Sequence, residues 1–134
     1  MRRAEIQRNT KETKISITLD LDGSGKHDIN TGIGFFDHML TALCVHGGFD
    51  LTVHTDGDLY VDGHHSVEDT GIVLGQAFKA AIGDMKGINR YGTSFIPMDE
   101  SLGFCCLDIS NRPFLVYECE FSEITLLIFA IVLY

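Results

Sequence analysis

Asp62-Gly63-His64-His65-Ser66-Val67-Glu68-Asp69 concentrates imidazole and carboxylate groups of the kind that hold divalent transition metals. In a helix, His64 and Glu68 stand at i,i+4 on one face, and His65 is turned from His64 by about 100°. The two histidines then point different ways and can serve two metal ions. The helix start decides this geometry. With Asp62 as N-cap the histidines lie in the first turn; with Ser66 as N-cap and Asp69 closing a capping box they lie on the incoming loop. A His-His pair is also an ordinary feature of a polar turn, so the distribution of histidine carries weight. All six, at 27, 38, 46, 54, 64 and 65, fall in one half of the chain, as a metal site requires.

A second motif, Gly32-Ile33-Gly34-Phe35-Phe36-Asp37-His38-Met39-Leu40, holds His38. Beside Asp37 and a glycine-rich entry loop, His38 reads equally as a surface histidine or as a ligand. The elements that must position these groups follow from periodicity. Ala4–Arg8 and Thr13–Leu21 read as strands that pair, the second with Ile15, Ile17 and Leu19 on one face. Asp22-Gly23-Ser24-Gly25 is a turn. Phe35–His46 reads as a helix with a Phe36, Met39, Leu40, Leu43 stripe, ended by Gly47-Gly48. Leu51–Thr55 is a strand with His54 on its polar face, a structural residue. The longest helix runs from about Val67 to Met85, its stripe Val67, Leu74, Phe78, Ala81 and Met85 being core, so the histidine motif sits at its front end. Lys86–Gly92 is a loop carrying Arg90, suited to clamping a carboxylate or phosphate. Ser94–Pro97, Gly103–Ile109 and Leu115–Phe121 read as strands, with Ser110-Asn111-Arg112-Pro113 turning between the last two.

Composition sets the outer limits. The chain has 134 residues, 45% of them hydrophobic, enough for a real core without disulfides. Lys+Arg 10 against Asp+Glu 19 gives a net charge of −9, which disfavours general nucleic-acid binding and leaves room for a small anion held by placed arginines. Cys44, Cys105, Cys106 and Cys119 have no C-x-x-C spacing and read as small buried hydrophobes in a reducing compartment. Met1-Arg2-Arg3 leads into no apolar run, so no signal peptide is expected and the cytoplasm is the default location; no membrane partner is expected. The apolar tail Ile124–Tyr134 is too short to cross a bilayer.

A weak repeat is visible. Glu12 is followed by Leu19-Asp20, and Glu100, 88 residues later, is followed at the same spacing by Leu107-Asp108. Two similar β/α units are expected, the second with its own metal motif at about 150–160, past the last residue of the chain.

Together these segments resemble the imidazoleglycerol-phosphate dehydratases. The similar stretches are Arg8–Thr13, Thr31–Leu40, Asp62–Asp69, Ile88–Gly92, Met98–Glu100 and Leu107–Pro113, spanning residues 2 to about 123. The FFDHM and HHxxED motifs in that order are highly specific. The resemblance implies an α+β fold of two similar β/α halves, sheet packed on helices: residues 1–90 as the first half, 91–123 as strands of an incomplete second, and 124–134 as a tail without counterpart in the family. It implies conversion of imidazole glycerol phosphate to imidazole acetol phosphate in histidine biosynthesis, with Mn2+ at two sites per active centre in a 24-subunit homo-oligomer. His38, His64, His65 and Glu68 correspond to metal ligands. Glu12 corresponds to an acid/base carboxylate that contacts substrate, and Glu12, His64 and Glu68 are the expected catalytic groups. Arg90 and Arg112 correspond to substrate-binding arginines. His38, His46, His64, His65 and Glu68 line the pocket.

The residue types suit that chemistry. The proton to be lost is on a carbon of little acidity, and a metal on the imidazole ring can stabilise an imidazolate and make the ring an electron sink. Glu12 can move the proton, and two arginines fix the phosphate end. An inactive fragment, truncated or frameshifted after about residue 123, is the alternative; a general metal-storage module gives no reason for Glu12, Arg90 and Arg112.

Overall fold

The structure is a computed structural model and describes residues 1–116 and 118. It divides into two compact units, residues 1–83 and residues 84–118. In the first, β1 (Arg3–Asn9), β2 (Thr13–Asp20), β3 (His27–Asn30), α1 (Gly34–Gly47), β4 (Asp50–Gly57) and α2 (His64–Ile82) follow in order. The sheet order is β1-β2-β4-β3; β1–β2 and β2–β4 are antiparallel and β3–β4 is parallel.

The alternation of β2 decides which face is covered. Ile15, Ile17 and Leu19 are buried, opposite Thr55, Val53 and Leu51 of β4 in register. They share one core with Val67, Val73, Leu74, Ala77 and Ala81 of α2 and with Phe36, Leu40 and Cys44 of α1. Each such side chain contributes about 1.5–3 kcal/mol of apolar burial, and the helix carrying the histidines is thereby fixed to the sheet.

Several details differ from expectation. On α1 the buried line is Phe36, Leu40 and Cys44, whereas Met39 and Leu43 are 47% and 42% exposed. The helix packs mainly along β3 at the sheet edge, so only a narrow i,i+4,i+8 line is covered. β3 itself has no apolar alternation; only Ile29 faces inward. α2 starts at His64, with Gly63 at the cap position, and the Asp62 carboxylate accepts the His64 N–H at 2.7 Å. Ser66 is fully buried inside the helix, so it caps nothing and the histidines lie in the first turn. α2 ends at Gly83 (φ 62°), and Met85 lies beyond it, outside the stripe. Among the described residues no helix is long and apolar enough to cross a membrane.

The second unit is a hairpin of β5 (Tyr91–Met98) and β6 (Ser101–Asp108). Its register is that of β1–β2 displaced by 88 residues: Arg3↔Asp20 becomes Tyr91↔Asp108, and Asn9↔Lys14 becomes Pro97↔Leu102. The closing bond is repeated too, Leu21 N–H to the Arg2 carbonyl and Ile109 N–H to the Arg90 carbonyl, both 2.9 Å. The repeat is therefore exact at the level of backbone pairing. Both faces of this hairpin are open among the described residues, so Cys105 and Cys106 are exposed rather than buried, while Cys44 fulfils the expectation. Leu115 and Val116 are irregular, not strand; the rest of the expected Leu115–Phe121 strand lies outside the described residues apart from Glu118, and the 124–134 tail and Cys119 lie wholly outside them.

Candidate metal centre and anion site

The first turn of α2 places His64 and Glu68 on one face, with His64 Nε2 3.0 Å from Glu68 Oε2 and both side chains nearly half exposed. Two metal–ligand bonds of about 2.1 Å at right angles subtend about that separation. His65 turns the other way. Its Nδ1 lies 3.1 Å from both oxygens of Asp58, and its Nε2 lies 3.9 Å from Glu12 Oε1 on the β1–β2 turn. A carboxylate on one ring nitrogen orients the imidazole and leaves the other nitrogen for a ligand. The two rings are 5.7 Å apart and inclined at 61°. The result is two divergent half-sites of nitrogen and oxygen donors, a chemistry that suits divalent transition metals.

The Asp58 hydrogen bond raises the His65 pKa above 6.5; burial opposes the shift, and the charges of Asp58, Glu12 and Asp62 reinforce it. His65 protonation therefore stabilises the fold fully below about pH 6.5, and that contribution is lost as pH rises through the folded value. In Asp58→Asn the His65 pKa falls back toward its ordinary value, checked by NMR titration of the ring protons; an unmoved pKa assigns the shift to other groups.

Buried polar contacts set the tilt of α2. Asp69 accepts the Thr13 hydroxyl at 2.5 Å and forms an ion pair with Arg8, so one carboxylate ties α2 to β1 and β2. The Thr55 and Thr70 hydroxyls share a hydrogen bond of 2.8 Å. Ser66 packs against Gly57, where an added Cβ would come within 2.1 Å of Ser66 Oγ; only glycine lets the end of β4 approach the helix so closely. The Asp58 N–H donates to the Glu12 carbonyl at 3.1 Å, which links the Glu12 turn to the His65 partner. Asp58 is the functional neighbour that sequence reasoning missed. It stands in an exposed-looking run, Asp56-Gly57-Asp58, with no spacing that singles it out.

His38 and His46 lie exposed on α1. Asp37 does not serve His38; it accepts the Thr31 N–H at 2.8 Å and the Thr31 hydroxyl at 2.6 Å, fixing the turn into the helix. Among the described residues no three or more His, Cys, Asp or Glu side chains converge as a metal-binding group. The expected set His38, His64, His65 and Glu68 is thus not gathered into one shell, because His64 and His65 diverge and His38 stands on another helix. His54 is exposed on the polar sheet face, 3.5 Å from Asp28, as expected.

In the second unit, Arg90 grips Asp108 with two hydrogen bonds, Nε to Oδ1 at 2.6 Å and Nη2 to Oδ2 at 3.1 Å. Arg112 Nη2 lies 3.9 Å from the same Oδ2. The Arg90 hydrogen bond holds the Asp108 carboxyl below its ordinary pKa, with partial burial opposing. Both arginines line a shallow cavity of about 250 Å³ with Met85, Ile88, Ile109 and Ser110.

Comparison with known proteins bears on what these groups do. The family model described as imidazoleglycerol-phosphate dehydratase matches residues 31–131. The chain belongs to the imidazoleglycerol-phosphate dehydratase family. It is 63% identical to the imidazoleglycerol-phosphate dehydratase of Streptococcus thermophilus over 92% of this chain and 63% of that one. It is 60% identical to that of Clostridioides difficile over 91% and 64%. Among solved structures, imidazoleglycerol-phosphate dehydratase from Staphylococcus aureus superposes with TM-score 0.78 at 40% identity, covering 90% of this chain and 66% of the other. The Pyrococcus furiosus protein, solved in complex with (S)-C348, gives 0.70 at 32% identity, covering 96% and 74%. The chain spans about three-fifths of the length of these two curated relatives. As a member of the imidazoleglycerol-phosphate dehydratase family it shares their α+β architecture, and the HHxxED helix start and the FFDHM helix both fall inside the matched residues.

Proposed function

We propose that this chain carries the metal- and substrate-binding half of a manganese-dependent hydro-lyase that converts imidazole glycerol phosphate to imidazole acetol phosphate in histidine biosynthesis, in the cytoplasm. The observation that supports this best is the pairing of each histidine of the family motif with a different carboxylate: His64 with Glu68, and His65 with Asp58 and Glu12. Bound Mn2+ supplies the electron withdrawal that acidifies the substrate carbon. His38, His64, His65 and Glu68 are the donors this chain would offer to the two ions, with His64 and Glu68 already side by side. Asp58 orients the His65 ring through Nδ1 and leaves Nε2 facing Glu12, which would pre-aim that nitrogen toward a metal held there. Glu12 stands exposed on a turn tied to Asp58, well placed to carry a proton between carbon and solvent. Arg90 and Arg112 hold the phosphate and exclude other orientations of the glycerol chain. A homo-oligomer, 24-subunit as the family resemblance implies, brings further donors to each shell.

A specific observation favours a second reading, a metal-binding fragment without turnover: no three-donor group exists among the described residues. One experiment separates the two. The full chain is given imidazole glycerol phosphate with Mn2+ and, in parallel, with chelator, while Mn2+ binding is followed by electron paramagnetic resonance. Manganese-dependent product is expected, abolished in His64→Ala. Binding of Mn2+ with no product selects the fragment reading, and no binding at all overturns both.

A further inference from the structure

We propose that Asp108 is a positioning residue for anion capture: it fixes the Arg90 guanidinium so that Arg90 and Arg112 together grip a phosphate group. This deepens, and rests on, the reading of both arginines as phosphate binders. The repeat provides an internal control. In the first hairpin Arg2, which matches Arg90, clips not Asp20, the match of Asp108, but Asp22 two residues on, through Nε at 3.0 Å and Nη2 at 2.6 Å. There the position matching Arg112 is Ser24, whose N–H donates to Asp50 at 2.7 Å. A clip at the open end of the hairpin therefore needs one arginine and one carboxylate.

The second hairpin adds another guanidinium 3.9 Å from the same carboxylate oxygen. Two cations sharing one carboxylate leave a net charge of about +1 and a mutual repulsion that a further anion relieves. Asp108 engages two of the five N–H donors of Arg90. Among the described residues the remaining donors meet no other acceptor, and the cavity lined by Arg90 and Arg112 leaves room for one. Arg90 is about half exposed and its guanidinium lies 5.0 Å over the Tyr91 ring, a contact that restrains it without setting the direction of its N–H donors. With Asp108 in place, the plane of the fork is set before the anion arrives.

The test is an NMR titration of the 15N-labelled full chain with inorganic phosphate, following the arginine Nε–Hε signals. In the wild type, Arg90 and Arg112 signals shift together with phosphate. Asp108→Asn weakens phosphate binding by about tenfold, the scale of a lost charge-assisted contact. Asp22→Asn breaks the Arg2 clip at the same end of the first hairpin and leaves phosphate affinity unchanged, so a loss in Asp108→Asn alone is specific to the Arg90–Arg112 pair. Phosphate affinity in Asp108→Asn equal to or tighter than wild type overturns the positioning role while the phosphate reading stands. No shift of either arginine in the wild type overturns the phosphate reading and this role together. Should Asp108→Asn open the hairpin, Asp108→Glu decides: it keeps the ion pair but displaces the fork, and several-fold weaker phosphate binding is expected, with unchanged affinity overturning the role.

Discussion

Replacing Asp69 by alanine costs about 3 kcal/mol of stability, a fall of roughly 10 °C in Tm. The carboxylate is 11% exposed and serves two elements at once, accepting the Thr13 hydroxyl of β2 and pairing with Arg8 of β1. Truncation leaves the Arg8 guanidinium facing a cavity without its counter-charge, and breaking a buried pair from one side is far more damaging than losing the pair's net attraction. Arg8 is 34% exposed, so water recovers part of the loss and the cost stays at the lower end of the buried-pair range. Asp69→Asn, which keeps an acceptor for Thr13 and loses the charge, falls between wild type and alanine. Urea unfolding followed by circular dichroism measures both; a loss below about 0.5 kcal/mol in the alanine variant would mean the pair is effectively solvated. Because Asp69 follows Glu68 on the helix, loosening it also slackens the tilt that aims Glu68 and His64. The same variant is therefore expected to lose metal affinity although Asp69 touches no metal.

The run His-His-x-x-Glu-Asp thus joins a candidate ligand pair to a structural carboxylate, and only the first is readable from residue types. Imidazole and carboxylate at i,i+4 announce a ligand pair in the sequence because helical geometry is local. From the sequence Asp69 can only close a capping box with Ser66, because its true partners lie 56 residues away or more, beyond any local pattern. The same division runs through the fold. β2 and α2 were legible, since burial on one face imposes period 2 and period 3.6 on their residues. β3 was not, since a four-residue edge strand with one inward side chain has no period to show. The α1 stripe was half right: apolar residues at Met39 and Leu43 are compatible with burial, but a helix at the sheet edge covers only Phe36, Leu40 and Cys44. The repeat, hinted at by four residues, proved exact in pairing because a hairpin's register is fixed by its turn and its ends. Asp58 was illegible for a further reason. A carboxylate that orients a histidine is chosen by its three-dimensional distance, and Asp58 and His65 are brought together by the approach of the β4 end to the helix at Gly57 and Ser66.

On the proposed reading, His64→Ala and His65→Ala are each expected to weaken Mn2+ binding by well over tenfold, since removing a ligand exceeds the 10- to 100-fold effect typical of losing a group that merely orients one. Their combination distinguishes one ion from two. The rings are 5.7 Å apart at 61°, His64 is paired with Glu68 on the helix, and His65 is paired with Asp58 at the end of β4 and faces Glu12. If the two nitrogens serve separate ions, each single substitution abolishes one class of site and leaves the other at its original affinity. If they serve one ion, each single substitution weakens the same site, and the double variant is worse than either by less than the product of the two effects, as expected for residues that act as a unit. The divergent carboxylate partners favour the first outcome: a ring held by Asp58 through Nδ1 cannot swing toward Glu68 without breaking two contacts of 3.1 Å. Asp58→Asn should then weaken only the class of site lost in His65→Ala. Manganese titration by electron paramagnetic resonance, with stoichiometry read alongside affinity, separates these cases. A single class of site lost equally in both histidine variants would place the two imidazoles on one metal ion and require the His65 ring to leave Asp58 when the metal binds.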